Sequence, residues 1–234
     1  MTALAKRFYK AASVFDVDGG AGVLLDQRKL RTPGGALFVA PRRALAALCA
    51  AEWAAQGENI IPKTMPVTQL AFAAIDHTPK RRAELADYLA KFGETDLVCH
   101  RAETPAGLSQ RQAQAGDPLL AWARETYGLD LPVVAGVIAA EVAPETLARL
   151  RALALALDDM RLTALAQAAG LSGSAIVALA LTAARIDAAE AYAIATVDER
   201  WSAEHWGEDA EARARLDRTQ REFESIGAFL AALA

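Results

Sequence analysis

The chain has few of the residues that metal sites and disulfide frameworks need. Its 234 residues include two cysteines and three histidines. Cys49 and Cys99 are too few for a disulfide framework or a cysteine-based zinc site. The histidines at positions 77, 100 and 205 form no short-spaced pair of the kind that marks a metal site. We therefore predict no metal, no cofactor and a reducing compartment.

Long apolar runs and blocks of like charge are also missing. The run AIVALALTAA, from Ala175 to Ala184, is about half of the roughly 20 residues needed to span a bilayer. It is interpreted as a buried helix, and no membrane insertion is expected. The chain has 25 Lys and Arg against 29 Asp and Glu, a formal charge of -4. With no long single-sign block, nucleic acid is not an expected partner.

Motifs for nucleotide and acyl chemistry are incomplete. The stretch GGAGVLL lacks the third glycine of a dinucleotide fingerprint and the lysine of a phosphate loop. The stretch GLSGS resembles a nucleophile elbow, but its second glycine is out of register. Ser172 is more simply interpreted as the N-cap of the following apolar helix. These patterns predict no catalytic residues.

The order of the remaining patterns predicts an α+β fold. The first forty residues contain short β-compatible segments separated by Gly19-Gly20, Asp26-Gln27 and Thr32-Pro33-Gly34-Gly35, which is typical of antiparallel hairpins. Helix signals then dominate, with starts at Pro41, Pro66, Thr78-Pro79 and Asp117-Pro118. We expect a small N-terminal, mainly antiparallel sheet with helices in residues 1–105, followed by an all-helical C-terminal domain in 106–234. A later boundary, near 129–136, is the alternative.

The C-terminal half carries the clearest helix signals. Asp187 and Glu190 form a possible capping box for a helix with Ile194, Val197 and Trp201 on one stripe, ending at Gly207. A last helix is predicted from Asp209. Its apolar positions alternate three- and four-residue steps, as in a packing seam: Leu216, Thr219, Phe223, Ile226, Leu230 and Leu233.

The segment FGETDLVCHRAET, from Phe92 to Thr104, resembles an active site at first inspection. A cysteine nucleophile needs its histidine base within hydrogen-bond reach. Adjacent side chains point to opposite faces of a strand and are splayed by roughly 100° on a helix, so Cys99 and His100 do not form a dyad. An enzyme with a dispersed site around Asp96, His100 and Arg101 stays open as the alternative function.

A second cluster, DERWSAEHWGEDAEARAR, places two of the four tryptophans among acids and arginines. Aromatic residues with a charged rim are typical of protein-binding surfaces. The competing interpretation is that Trp201 and Trp206 belong to the core and that the charges are solvated.

Several segments, in order, resemble one family of assembly chaperones. They are RFYKAASV, LLDQRKLRTPGG, AAEWAAQGE, MPVTQLAFAAID, ETDLVCHRAE, RQAQAGDPLLAWA and DERWSAEHWGEDAEA. The resemblance is to the ATP-twelve chaperone family, which assembles the soluble catalytic head of ATP synthase, and it extends from Arg7 to about Glu211. It implies an N-terminal α+β domain, a C-terminal helical domain and no catalysis.

The resemblance also implies a client. Such a chaperone binds the unassembled alpha subunit, prevents its aggregation and releases it to the beta subunit, which competes for the same surface. A constitutive subunit of the complex is a further alternative. Because the family motif begins at Arg7, we expect a bacterial cytoplasmic member, or a processed form from the mitochondrial matrix.

The contact surface for the client is a hypothesis from the residue pattern. Its main part is the tryptophan-acid cluster, which consists of Glu199, Trp201, Trp206, Glu208, Asp209 and Glu211. A second patch is predicted at Glu94, Asp96 and Arg101.

Overall fold

The computed structural model describes residues 5–207 and 209–234. Its strands are β1 (Ala12–Val17), β2 (Gly20–Leu25), β3 (Arg28–Lys29), β4 (His100–Arg101) and β5 (Val134–Ala135). The helices are α1 (Arg43–Ala54), α2 (Pro66–Asp76), α3 (Thr78–Glu94), α4 (Ala106–Tyr127), α5 (Pro144–Ala156), α6 (Asp159–Ser172), α7 (Ala175–Thr182), α8 (Ala188–Ala195), α9 (Val197–Trp206) and α10 (Ala210–Ala231). The predicted α+β fold class is confirmed.

The chain divides into two compact units. The first is drawn from Met1–Arg81 and Ala228–Ala234, and the second is Arg82–Gly227. The predicted boundary after residue 105 therefore falls inside the second unit, and the C-terminal residues belong to the first. The division into 1–105 and 106–234 stays a prediction about which segments fold independently. The second unit also includes the short parallel pair β4 and β5, which an all-helical prediction did not include.

The sheet of the first unit has the predicted hairpin topology. Strands β1, β2 and β3 pair antiparallel in that order, with Val14 opposite Val23. Asp26 lies in the turn between β2 and β3 with φ 54°, a conformation that Asp and Asn tolerate better than most residues. Its carboxylate accepts hydrogen bonds from the backbone N–H groups of Lys10 (3.0 Å) and Ala11 (2.9 Å), which fix the entry to β1.

Helix α1 packs on β1 and β2 and supplies much of the first unit's core. Cys49 and Trp53 are buried on its inner face, as the helical spacing predicts. Phe38 and Phe72 add an edge-to-face ring pair with centroids 6.0 Å apart. Glu52 accepts hydrogen bonds from the first backbone N–H groups of α2, which otherwise have no partner within that helix.

The second unit is built around the hairpin of α6 and α7. Helix α7 is buried almost throughout, as expected for the apolar run. Its N-cap is Ser174, which accepts from the N–H of Val177 at 3.0 Å. The prediction of Ser172 as N-cap is therefore wrong. Ser172 lies at the end of α6, where its hydroxyl donates to the carbonyl of Ala168 and accepts from the N–H of Ser174.

Two other helix predictions need correction. Pro118 does not start a helix but lies inside the 22-residue α4, which begins at Ala106. Gly116, Leu119 and Ala123 of this helix are buried, so packing around the proline outweighs the loss of one backbone hydrogen bond. The capping box of Asp187 and Glu190 is confirmed, but its helix ends at Ala195, and Thr196 separates it from α9.

Gly20 provides a test of the first unit. Its φ is +155°, and a Cβ at this position would collide with the carbonyl of Ala40, the residue that bridges to Ala21 through hydrogen bonds of 2.9 and 2.8 Å. We expect Gly20→Ala to lower the free energy of unfolding by more than about 2 kcal/mol. Gly57→Ala, where an added Cβ meets no atom within 4 Å, is the matched control and should cost less than about 0.5 kcal/mol. Equal denaturation midpoints for the two variants would contradict this packing.

Candidate functional site

The tryptophan-acid cluster lies on α9 and at the start of α10, and its two tryptophans have different environments. Trp201 is partly buried against the first turn of α4, where a Cβ added to Gly107 would lie 2.6 Å from its Cη2 atom. Its ring stacks on His205 with centroids 4.0 Å apart, and the guanidinium carbon of Arg111 lies 4.8 Å from the ring centroid. The indole Nε1 is buried without a hydrogen-bond acceptor among the described residues. Trp201 therefore anchors α9 on α4.

Trp206 is displayed at the other end of the same helix. Trp206 is 75% exposed, and Gly207 with φ 84° ends the helix directly after it. Among the large apolar side chains of the described residues, Val137 (94%) and Ile138 (84%) are more exposed than Trp206. Glu199, Asp209 and Glu211 of the cluster are exposed as well. Glu208 lies outside the described residues. A large exposed aromatic side chain therefore lies close in sequence to three exposed acids.

Polar contacts reinforce the attachment of α9 to α4. Arg111 forms an ion pair with Glu204 at 2.7 Å, and the amide of Gln112 donates to Asp198 at 2.7 Å. These contacts are largely exposed, so each contributes modestly to stability. Their value is positional, because they fix the rotation of α9 about its axis and with it the direction in which Trp206 projects.

Asp96 has a structural environment. It is 1% exposed, and its carboxylate accepts from the N–H of Val98 at 3.1 Å and from the N–H of Ile176, at the start of α7, at 3.0 Å. Burial raises the pKa of Asp96 to about 6, against the lowering effect of hydrogen bonds from the Ser174 side chain and from backbone groups. A carboxylate at a helix N-terminus stabilises the unpaired N–H groups there.

Arg101 is buried too, at 8% exposed. Its guanidinium donates to the carbonyls of Val98 and His100, each at 2.8 Å, and pairs with Asp117 of α4. Asp96 and Arg101 therefore do not form a surface patch with the exposed Glu94. The sequence-based patch is corrected on this point, because both charges are used inside the second unit and only Glu94 faces solvent.

The dispersed enzyme site around Asp96, His100 and Arg101 gains no support from the geometry. Nδ1 of His100 lies 3.2 Å from the carbonyl of Gly136, so each of the three side chains is engaged in local hydrogen bonds. Burial raises the pKa of Cys99 to about 12, which keeps its thiol protonated. The cavity beside them measures about 40 Å³, which is room for little more than one water molecule.

A larger groove was not indicated by the sequence. It has a volume of about 740 Å³ and lies between α4, α8 and α9, with Leu119, Ile186, Ile194 and Val197 among its apolar lining. No local motif marks it, because its wall comes from three helices that are distant in sequence. The one signal was the apolar stripe of Ile194 and Val197, which periodicity assigns to a core face.

Other kinds of site find no support in the described part of the chain. Within residues 5–207 and 209–234 there is no group of three or more His, Cys, Asp or Glu side chains placed to hold a metal ion. None of the helices in those ranges is both long and apolar enough to cross a bilayer.

Known proteins resemble the chain in sequence and in structure. The family model described as ATP12 chaperone protein matches residues 6–124. The mitochondrial protein atp12 of Schizosaccharomyces pombe is 26% identical in an alignment of 219 residues that covers 88% of this chain and 75% of that protein. The crystal structure of Atp12 from Paracoccus denitrificans is 38% identical with a TM-score of 0.90, over 98% of this chain and 99% of that one. The Atu1473 protein of Agrobacterium tumefaciens is 39% identical with a TM-score of 0.91, over 99% and 87%.

These similarities agree on one class of protein, a chaperone of ATP synthase assembly. The chain belongs to the ATP12 chaperone family. The family identified from the ordered sequence segments is thereby confirmed.

Removing the Asp96 carboxylate should destabilise the second unit. In Asp96→Ala the N–H groups of Val98 and Ile176 stay buried and lose their acceptor. We expect the free energy of unfolding to fall by about 2 to 5 kcal/mol, since each unsatisfied buried donor costs about 1 to 3 kcal/mol. Chemical denaturation measures the change, with Glu94→Ala as the exposed control. A change in Asp96→Ala no larger than in the control would contradict the structural role.

The raised pKa of Asp96 also predicts a pH dependence. Its folded pKa of about 6 exceeds the ordinary value of 3.8, so between these values the folded state holds a proton that the unfolded state has lost. The stability that comes from this proton is therefore fully present below about pH 4 and is lost as the pH rises through 6, whereas the hydrogen bonds from Val98 and Ile176 remain. Relative to Asp96→Asn, the wild-type chain should lose unfolding free energy between pH 4.5 and pH 7.5. A difference between the two proteins that stays constant over this range would contradict the shift.

Proposed function

We propose that this chaperone binds the unassembled alpha subunit of ATP synthase and releases it to the beta subunit. Membership of the ATP12 chaperone family supports the assembly role. The observation that carries the contact surface is Trp206, which is 75% exposed on a helix that Trp201 anchors. Large exposed aromatic side chains on a fixed support are the usual centres of protein-protein interfaces.

The chemistry of the cluster fits a client that must later leave. An unassembled subunit exposes an apolar surface through which it would otherwise aggregate. A chaperone that binds this surface lowers the concentration of free, aggregation-prone subunit by mass action. The exposed acids at Glu199, Asp209 and Glu211 form a polar rim on our account. Rim charges affect the rate of association and the choice of partner more than they affect affinity. Release then requires only that the beta subunit make a larger or tighter interface.

The cycle that we propose is not enzymatic. The described side chains near Asp96 are engaged in structural hydrogen bonds, and the matching family is described as a chaperone protein. A constitutive subunit would remain in the mature complex, whereas a chaperone should be absent from it. We further propose the bacterial cytoplasm as its location, supported by the higher identity to the Paracoccus and Agrobacterium proteins than to the fission-yeast protein.

Replacing Trp206 tests the proposed contact. We expect Trp206→Ser to weaken binding to the isolated alpha subunit about tenfold or more, because a central aromatic contact is worth roughly 2 kcal/mol or more. The stability of the chaperone should be unchanged, since the side chain is already exposed. The measurement is co-purification with separately expressed alpha subunit, followed by a binding titration, with and without added beta subunit.

Phe8→Ser is the matched control, because Phe8 is also an exposed aromatic residue, at 56%, but lies in the first unit. Binding of the alpha subunit that beta subunit displaces, with a loss in Trp206→Ser alone, supports the proposal. Wild-type protein that neither binds alpha subunit nor increases its solubility would contradict the function. Equal affinities for the wild type and Trp206→Ser would contradict the assigned surface.

A further inference from the structure

The groove between α4, α8 and α9 is lined by helices on both sides, as in sites that bind a partner helix. Its α4 wall presents positions 111, 114, 115, 118 and 119, which follow the three- and four-residue spacing of one helix face. The eight steps from position 111 to position 119, at a rise of 1.5 Å each, make this wall about 12 Å long. The opposite wall runs from Glu190 on α8 to Glu204 on α9. The groove is thus bounded by helix faces along its length.

The base of the groove is apolar, although it is open to solvent. Pro118 and Leu119 contribute from α4, Ile186 precedes α8, and Ile194 and Val197 contribute from the opposite wall. Ile194 and Val197 are only partly buried in the free chain. Burying further apolar surface at such positions is favourable by roughly 25 cal/mol per Å², so a partner with an apolar face is favoured here.

The two glutamates at the edge of the groove are already engaged in contacts, whereas two of its arginines form no ion pair among the residues that the structure describes. Glu204 is paired with Arg111, and Glu190 accepts from the N–H of Asp187 at 2.9 Å in the capping box. Arg185 and Arg200 are exposed, and within the described residues neither has an acidic side chain in ion-pair distance. Two arginines that have no carboxylate partner in the described part of the chain therefore border an apolar groove, on a chain whose formal charge is -4.

We propose that this groove binds an amphipathic helix of the client, with its apolar face on the groove base and acidic residues toward Arg185 and Arg200. The inference rests on the proposed function, because the client is the alpha subunit. Apolar grooves between helices bind partner helices through apolar anchors at three- and four-residue spacing. Arginine binds carboxylates through two parallel hydrogen bonds, which supplies orientation as well as affinity.

A small anionic ligand is the competing occupant. The volume of about 740 Å³ is within the range of small-molecule pockets. The two arginines lie on different elements, one before α8 and one within α9, which favours a segment that contacts both of them. The groove also shares α9 with Trp206, so a client that contacts the exposed tryptophan lies beside it.

Charge reversal tests the two arginines. We expect the double variant Arg185→Glu and Arg200→Glu to bind the alpha subunit at least tenfold more weakly than the wild type, with a smaller salt dependence of affinity. Both side chains are exposed, so circular dichroism and thermal midpoint should stay at wild-type values. Arg221→Glu is the matched control, since Arg221 is an exposed helical arginine outside the groove lining. Unchanged affinity in the double variant would overturn the proposal.

Photo-crosslinking identifies the occupant directly. A benzoylphenylalanine placed at Ala193, which lines the groove on α8, should crosslink to a helical segment of the alpha subunit that carries acidic residues. Crosslinking to no alpha-subunit segment, while the subunit still binds, would overturn the groove proposal and leave the proposed function standing. Failure of the wild-type chain to bind alpha subunit at all would remove both. If a small anion, and not the alpha subunit, shields position 193 from crosslinking, the proposal that a client helix occupies the groove would also be contradicted.

Discussion

The packing of Trp201 against Gly107 is the contact on which both candidate surfaces depend. It places α9 on the first turn of α4 at a distance that a side chain larger than hydrogen at Gly107 would prevent. The same helix then displays Trp206 at its end and contributes Val197 and Arg200 to the groove. Because interiors are close-packed, a shift of this one contact would move both surfaces together. A chaperone of this design presents its client with a rigid face and not with a loose loop.

The buried charges of Asp96 and Arg101 connect the elements that underlie this face. Asp96 connects the turn before β4 to the start of α7, and Arg101 connects the same region to α4 through Asp117. Breaking one partner of such an arrangement leaves an uncompensated buried group, which costs more than the pair contributes. Asp96 and Arg101 of the FGETDLVCHRAET segment therefore have structural roles, although the composition of the segment suggests chemistry. The exposed charges on α9 and α10, which look like an ordinary solvated face, lie instead on the proposed binding surface.

Sequence reasoning succeeded where the signal is local. The hairpins at Gly19-Gly20 and Asp26-Gln27, the capping box at Asp187 and the end of α9 at Gly207 each depend on residues within one turn, and all are present. It failed at Pro118, where packing along α4 overrides the local helix-start signal. It also failed at Asp96 and Arg101, because a side chain's burial depends on helices that are far away in sequence. The groove was missed for the same reason, since its wall combines residues from α4, α8 and α9.

Hydrogen exchange with and without the alpha subunit would show which face of the chaperone the client covers. We expect client binding to slow amide exchange in α9 near Trp206 and in the facing turns of α4 and α8. Exchange in the sheet of the first unit should be unchanged. Protection confined to that sheet, with α4, α8 and α9 unaffected in a complex that has formed, would contradict the assignment of the client to this face.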